Sequence, residues 1–168
     1  VVEKILKDSG KSHQIDHFFT NGSDERQFCS PGFNLPIGSL MRTPYGRFPE
    51  YHTSADNLQL VKPESLAEAL ELYQEVVYVL ENNFKYRNLN PKCEPQLGRR
   101  GLYGLVGATK ETNMGQLAIS WVLNLSDGNY SLLDISCTSG ISFREIKKAA
   151  DLLEEKALVE KVIEELKK

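Results

Sequence analysis

The sequence of 168 residues has little of what marks a covalently stapled or membrane-spanning protein. It holds three cysteines, Cys29, Cys93 and Cys137. An odd number at long spacings excludes a paired disulfide framework and a C-x-x-C zinc site, and makes free thiols in a reducing compartment the expected state. No apolar run approaches the roughly 18 residues that a membrane span requires. The opening, "VVEKILKDSG", lacks the basic stretch and apolar core of a signal peptide, and it lacks an initiating Met. The chain therefore reads as a cytoplasmic polypeptide and as part of a longer protein. Charge of one sign is also wanting. Lys and Arg number 20 against 23 Asp and Glu, a formal net charge of −3. Such a balance supplies no general attraction to nucleic acid or to an anionic membrane.

The plainest organisation is helical. "VVEKILKDSG" predicts a short helix that stops at Gly10 with Lys7 in its last turn. Pro63 fits a first helical position. From there Leu66, Leu70, Tyr73, Val76, Val77, Leu80 and Phe84 recur at spacings of three and four, which predicts one packed apolar stripe, and Glu64, Glu68, Glu71, Glu75 and Glu81 load the other face. Between these helices, "HQIDHFF" predicts a strand, "TNGSDERQFCSPGFN" a loop, "LPIGSLM" a short buried strand and "RTPYGRFPEYHTSADN" a second long loop.

"NLNPKCEPQLGRRGLYG" has the composition of a linker and sets a domain boundary near Gln96. Residues 1–96 hold 10 Lys+Arg and 13 Asp+Glu, and residues 97–168 hold 10 of each. The second part predicts three helices. Asn113 caps the first, with Leu117, Ala118, Trp121, Val122 and Leu125 inward. Ser131 to Asp134 is a capping box with Asp in place of Glu, and Ser142 to Glu145 is a full S-x-x-E box. A short helix, a turn at Gly140 and a capped helix with Ile146, Ala149, Ala150 and Leu153 inward make helix-turn-helix organisation. "ALVEKV" would start a wing, and "IEELKK" is helix-like. Arg144, Lys147 and Lys148 on the candidate recognition helix stand among Glu145, Asp151, Glu154 and Glu155. A neutral module lacks the basic footprint of a DNA reader, so protein contact or domain packing is the expected role.

Histidine is scarce, with three in the chain, and a catalytic zinc needs three protein ligands. His13-x-x-x-His17 has the spacing of two ligands on one helical face, but Gln14 stands where a general-base Glu belongs, and an extended segment would hold the two rings apart. His52 lies in a loop after the "LPIGSLM" strand, in the position that sites take beyond strand ends in α/β sheets. Tyr51 beside it carries an O–H able to donate to a developing oxyanion. Asp24 and Glu25 offer carboxylates to a substrate ammonium, and Arg26 offers a guanidinium to a carboxylate. A plain salt-bridged loop fits the same residues.

"GSDERQFCSPGFNLPIGSLMRTPYGRFPEYHTSADNL" resembles the C-terminal half of the zinc aminopeptidase fold. It is more closely similar to the aminopeptidase-like proteins of bacteria and archaea that end in a winged helix and occur in surface-polysaccharide gene neighbourhoods. "YRNLNPKCEPQLGRRGLYG" and "AISWVLNLSDGNYSLLDIS" extend the resemblance over essentially the whole chain. It implies an α/β part (residues 1–96) followed by a small all-α, winged helix-turn-helix module (residues 97–168). His52-Thr53-Ser54-Ala55-Asp56 matches the segment that supplies the last zinc ligand, which makes His52 the metal ligand. Tyr51 takes the place of a tyrosine that stabilises the tetrahedral intermediate. Ser23 and Asp24 match a segment lining the substrate pocket, with Glu25 and Arg26 beside them. The family's other zinc ligands and its general-base glutamate have no counterpart here. The resemblance thus implies a peptide or amide hydrolase whose zinc is completed by residues outside this sequence, with the isolated chain inactive and residues 1–96 marginally stable alone. A noncatalytic interaction module, in which the winged helix binds a protein partner or a second copy, is the rival. A winged-helix DNA-binding regulator is the next.

Overall fold

The computed structural model describes residues 1–18, 22–102 and 110–163, with side chains from 114 onward in the last stretch. Its elements in chain order are α1 (Val2–Asp8), α2 (Asp24–Phe28), α3 (Pro63–Asn82), β1 (Lys85–Asn88), a 3-10 turn (Gly98–Arg100), α4 (Lys110–Leu125), β2 (Asp127–Ser131), α5 (Leu132–Ser139), α6 (Phe143–Glu155) and β3 (Val159–Lys161). The chain divides into two compact units, Val2–Val76 and Val77–Lys168, the latter with Val1 attached.

In the second unit, β1 is the central strand of a three-stranded antiparallel sheet ordered β2-β1-β3. Lys85 stands opposite Ser131, and Asn88 opposite Val159. The pairing runs past the strand ends, with Leu132 N–H donating to Phe84 O at 3.0 Å and Leu89 N–H to Leu158 O at 2.9 Å. Removing β1 would strip backbone partners from both outer strands at once. The sheet unit therefore begins ahead of residue 85 and not at the linker near Gln96. That linker is part of the module: Pro95, Leu97 and Leu102 are buried. The module is consequently mixed α and β instead of all-α. "DGNYS", a turn by composition, is strand β2 because β1 offers it an edge.

The helices behave largely as their patterns predict. Ile146, Ala149, Ala150 and Leu153 of α6 are buried, as are Ala118 and Val122 of α4, whereas Leu117 is exposed. Helix α4 starts ahead of Asn113, which is a helical residue and not its cap. Ser131 forms the expected box: its Oγ accepts from Asp134 N–H at 3.3 Å, and the Asp134 carboxylate accepts from Ser131 N–H at 2.8 Å. At α6 only half of the predicted box is seen. Ser142 Oγ accepts from Glu145 N–H at 3.3 Å, while the Glu145 carboxylate turns to Lys148 at 2.7 Å. Strand β3 lies within the stretch expected to start a wing. The tail expected to be helical falls outside the described residues from 164 onward.

The first unit departs from expectation. Its described residues contain helices and turns but no strand. "HQIDHFF" is irregular as far as Phe18, tied at Asp16 to Arg47 over 3.2 Å. "LPIGSLM" is irregular and joins no sheet: Ile37 N–H turns back to Leu35 O at 2.8 Å, and side chains tie the segment down. Cys29 Sγ donates to Leu35 O at 3.2 Å and to Ile37 O at 3.4 Å, and the Tyr73 hydroxyl donates to Leu40 O at 3.1 Å. The expected loop contains the five-residue helix α2. The stripe of α3 also faces the other way. Leu66, Leu70, Val77 and Leu80 are 60, 58, 56 and 60% exposed, and Val79 is the buried position of the helix. Among the described residues of 2–76, Lys4 and Ile5 are the buried ones.

Two outcomes follow. A polypeptide of residues 77–163 should unfold in one cooperative transition, while one starting at 97 should show no cooperative melt, because β1 is gone. Equal melts by circular dichroism would contradict the central role of β1. The Asp134 carboxyl is held below the usual carboxylate range by the Ser131 hydroxyl and backbone N–H. Because its folded pKa lies below the unfolded value, its contribution is complete above about pH 4 and is lost as the pH falls through the folded pKa. The stability advantage of the native chain over Asp134→Asn should therefore shrink as the pH falls below the unfolded carboxylate value of about 4, as urea titrations on either side of it would show.

Candidate functional site

Helix α2 begins directly after Ser23, so Ser23, Asp24 and Glu25 stand at one turn of chain. The Glu25 side chain folds back over Gly22 and fills the space that a Cβ there would take. Opposite this turn runs segment 37–41, tied to α3 by the Tyr73 hydroxyl at Leu40 O. Between them opens a cleft of ≈ 440 Å³. Its walls are Ser23, Asp24 and Glu25 on the acidic side, Ile37 to Met41 on the apolar side, with Tyr45 and Tyr73 beside them. The size and the mixed lining suit a small organic group with one cationic and one apolar part.

Tyr45 links this cleft to the second group of expected residues. Its ring lies 5.9 Å from that of Tyr51, and the Tyr51 ring stacks on the His52 imidazole at 4.0 Å with 18° between planes. Phe48 meets Tyr51 edge-on at 5.7 Å. His52 has φ +58°, a left-handed conformation that costs a β-carbon residue about 1 kcal/mol. The turn is closed around it by Thr53, whose N–H and Oγ donate to Glu50 O at 3.1 and 2.8 Å. The imidazole is exposed.

Five of the six residues singled out from sequence thus gather along one path: Ser23, Asp24 and Glu25 in the cleft, Tyr51 and His52 next to its Tyr45 wall. Arg26 is exposed on α2 and is not part of the lining. The aromatic wall was missed. Its signal was the density of Tyr, Phe and Pro in "TPYGRFPEY", and Tyr73 was absorbed into the helix stripe. His13 and His17 lie exposed in irregular chain away from the assigned helices and strands.

The fit to zinc is partial. Among the described residues no group of three or more His, Cys, Asp or Glu could hold a metal ion. His52 is one exposed donor of the right type, stacked and oriented by Tyr51, but one imidazole is not a catalytic zinc site.

The other place where chemistry was expected is α6. Its cations are engaged within the module. The Arg144 guanidinium lies 4.1 Å over the Tyr78 ring, buried Lys147 reaches Asp151 at 2.5 Å, and Lys148 pairs with Glu145 at 2.7 Å. Phosphates would have to compete with these partners. The central strand of the sheet comes from ahead of the helices, so a β3-led wing hairpin is not seen among the described residues. No described helix is long and apolar enough to cross a membrane.

Comparison with known proteins adds the following. A family model described as a domain of unknown function (DUF4910) matches residues 1–83, and one described as winged helix-turn-helix matches residues 84–161. The junction between the two falls just ahead of β1. A protein of Clostridium acetobutylicum, provisionally named a polysaccharide biosynthesis protein with aminopeptidase-like domain, is 55% identical over 153 residues, which is 91% of this chain and 35% of the relative. A crystal structure from the same organism, provisionally described as a peptidase, matches with a TM-score of 0.86 at 52% identity, over 96% of this chain and 35% of that one. The chain spans about a third of the length of both. Residues 84–161 are similar to winged helix-turn-helix domains, and the chain as a whole is similar to one protein named aminopeptidase-like and one described as a peptidase.

Proposed function

We propose that the chain is the part of a zinc-dependent aminopeptidase-like hydrolase that carries one metal ligand and the substrate cleft, joined to a winged-helix module. The observation that carries this reading is the path from the Ser23–Glu25 cleft through Tyr45 to the Tyr51–His52 stack, in a chain similar to aminopeptidase-like proteins. His52 would donate its imidazole to the metal, with the other ligands and the general base supplied by polypeptide that the relatives carry outside the match. Bound zinc would supply Lewis-acid polarisation of the scissile carbonyl. Tyr51, whose ring stacks on His52, would donate its hydroxyl to the oxyanion. Asp24 and Glu25 would attract the ammonium end of a peptide or amide, and Ile37 to Met41 would take an apolar side chain. A substrate tied to cell-surface polysaccharide is one case, in keeping with the relative's name as a polysaccharide biosynthesis protein. The chain by itself is expected to be inactive, and a cytoplasmic setting goes with this reading.

The test is a chimera in which this chain replaces the matched third of the Clostridium relative. It should retain zinc by elemental analysis and hydrolyse aminoacyl amides. His52→Ala should lower zinc affinity by about tenfold or more, and Tyr51→Phe should keep the metal while lowering turnover by about a hundredfold. Zinc retained unchanged by His52→Ala would contradict the reading.

A second reading, a noncatalytic interaction module, is favoured by the winged-helix match at residues 84–161. The in-module pairing of Arg144, Lys147 and Lys148 points this module toward protein contact in preference to DNA. A mobility-shift assay at low salt should show no retardation of duplex DNA by micromolar chain, and tight binding would reverse that preference.

A further inference from the structure

We infer that the outward seam of α3 is an interior packing face, seated in the intact protein against polypeptide equivalent to the part of the relatives that lies outside the match, and that it is not a self-association surface. The inference rests on the aminopeptidase-like reading above. Leu66, Leu70, Tyr73, Val77 and Leu80 follow one another at spacings of four and three, and each is about half exposed or more. A run of that kind is a larger apolar surface than a finished monomer leaves in water.

Two partners could cover it, and the residues beside the seam separate them. A helix that pairs with a second copy of itself carries charges on both flanks of an apolar seam, because those charges set register and orientation. Of the flanking positions, Ala67, Ala69, Gln74 and Val76 are small or uncharged, and Glu81 places a charge at the C-terminal end of one flank. The first four widen the apolar band to the breadth of a core-facing helix. Glu64, Glu68, Glu71 and Glu75 lie off it, and Glu68 is already engaged by both Lys11 and Arg42. The relatives supply the occupant: the match covers 35% of each, so 65% of their length (100 − 35) is polypeptide beyond it. The described residues of 2–76 bury little beyond Lys4 and Ile5, as expected of one side of a shared core.

The experiment co-expresses the full 168-residue chain with the unmatched segment of the Clostridium relative, followed by size-exclusion chromatography with light scattering and amide exchange. The expected result is a one-to-one complex in which exchange at residues 66–80 slows. Leu70→Asp and Val77→Asp should each weaken co-purification by about tenfold or more, and Glu71→Gln should not. The altered positions are exposed, so circular dichroism of the variants should be unchanged, and the exchange footprint of the native chain gives a reading without any variant. A homodimer of the chain alone with residues 66–80 protected, no uptake of the segment, or uptake without slowed exchange on α3 would each overturn the inference. A complex with the expected footprint, in a protein whose chimera neither holds zinc nor hydrolyses amides, would keep this inference and overturn the proposed function.

Discussion

Strand β1 is hydrogen-bonded along both edges, and the second unit is organised around it. Four residues joining β2 to β3 turn three helices and two strand fragments into one closed module. The hydrophobic contribution is conventional: Ile135, Ile146, Leu153 and Leu158 pack with almost no exposure beneath the sheet and helices. The backbone constraint is the more demanding of the two, because an unpaired outer strand would leave donors and acceptors without partners next to a dry core.

The first unit has the opposite character. Its order comes from local turns, side-chain-to-backbone bonds and ion pairs, and its large apolar residues face outward. Surface ion pairs such as Arg47–Asp16 contribute little each. What the unit does hold is a set of chemical groups in register: an acidic turn, an apolar segment and an aromatic relay to a stacked imidazole. A site of this kind can be shaped by the chain and still be completed elsewhere.

Legibility in the sequence follows the same division. The helix-turn-helix, the Ser131–Asp134 box and α3 were readable because each is written within a few turns of chain. Strand β2 was not, since "DGNYS" becomes a strand through a partner some 40 residues earlier. "LPIGSLM" misled for the converse reason: it has the composition of a buried strand and pairs with no strand among the described residues. The periodicity of α3 marked an apolar face correctly but carried no information on whether anything covers it. In the site, His52, Tyr51 and the Ser23–Glu25 turn were found from residue type and motif. Tyr45 and Tyr73 were missed because only folding brings them to the cleft, and Arg26 was included because proximity in sequence is a poor guide to which side of a short helix a residue takes.

On the inference drawn from α3, one unit is self-sufficient and the other is an uncovered share of a larger core. Native-state hydrogen exchange on the full chain tests it most directly. The account predicts that amides of Ile135 to Leu158 exchange only through global opening, while those of Leu66 to Tyr73 exchange faster by orders of magnitude despite their helical bonds. Equal protection of both segments, lost together in one transition, would contradict it.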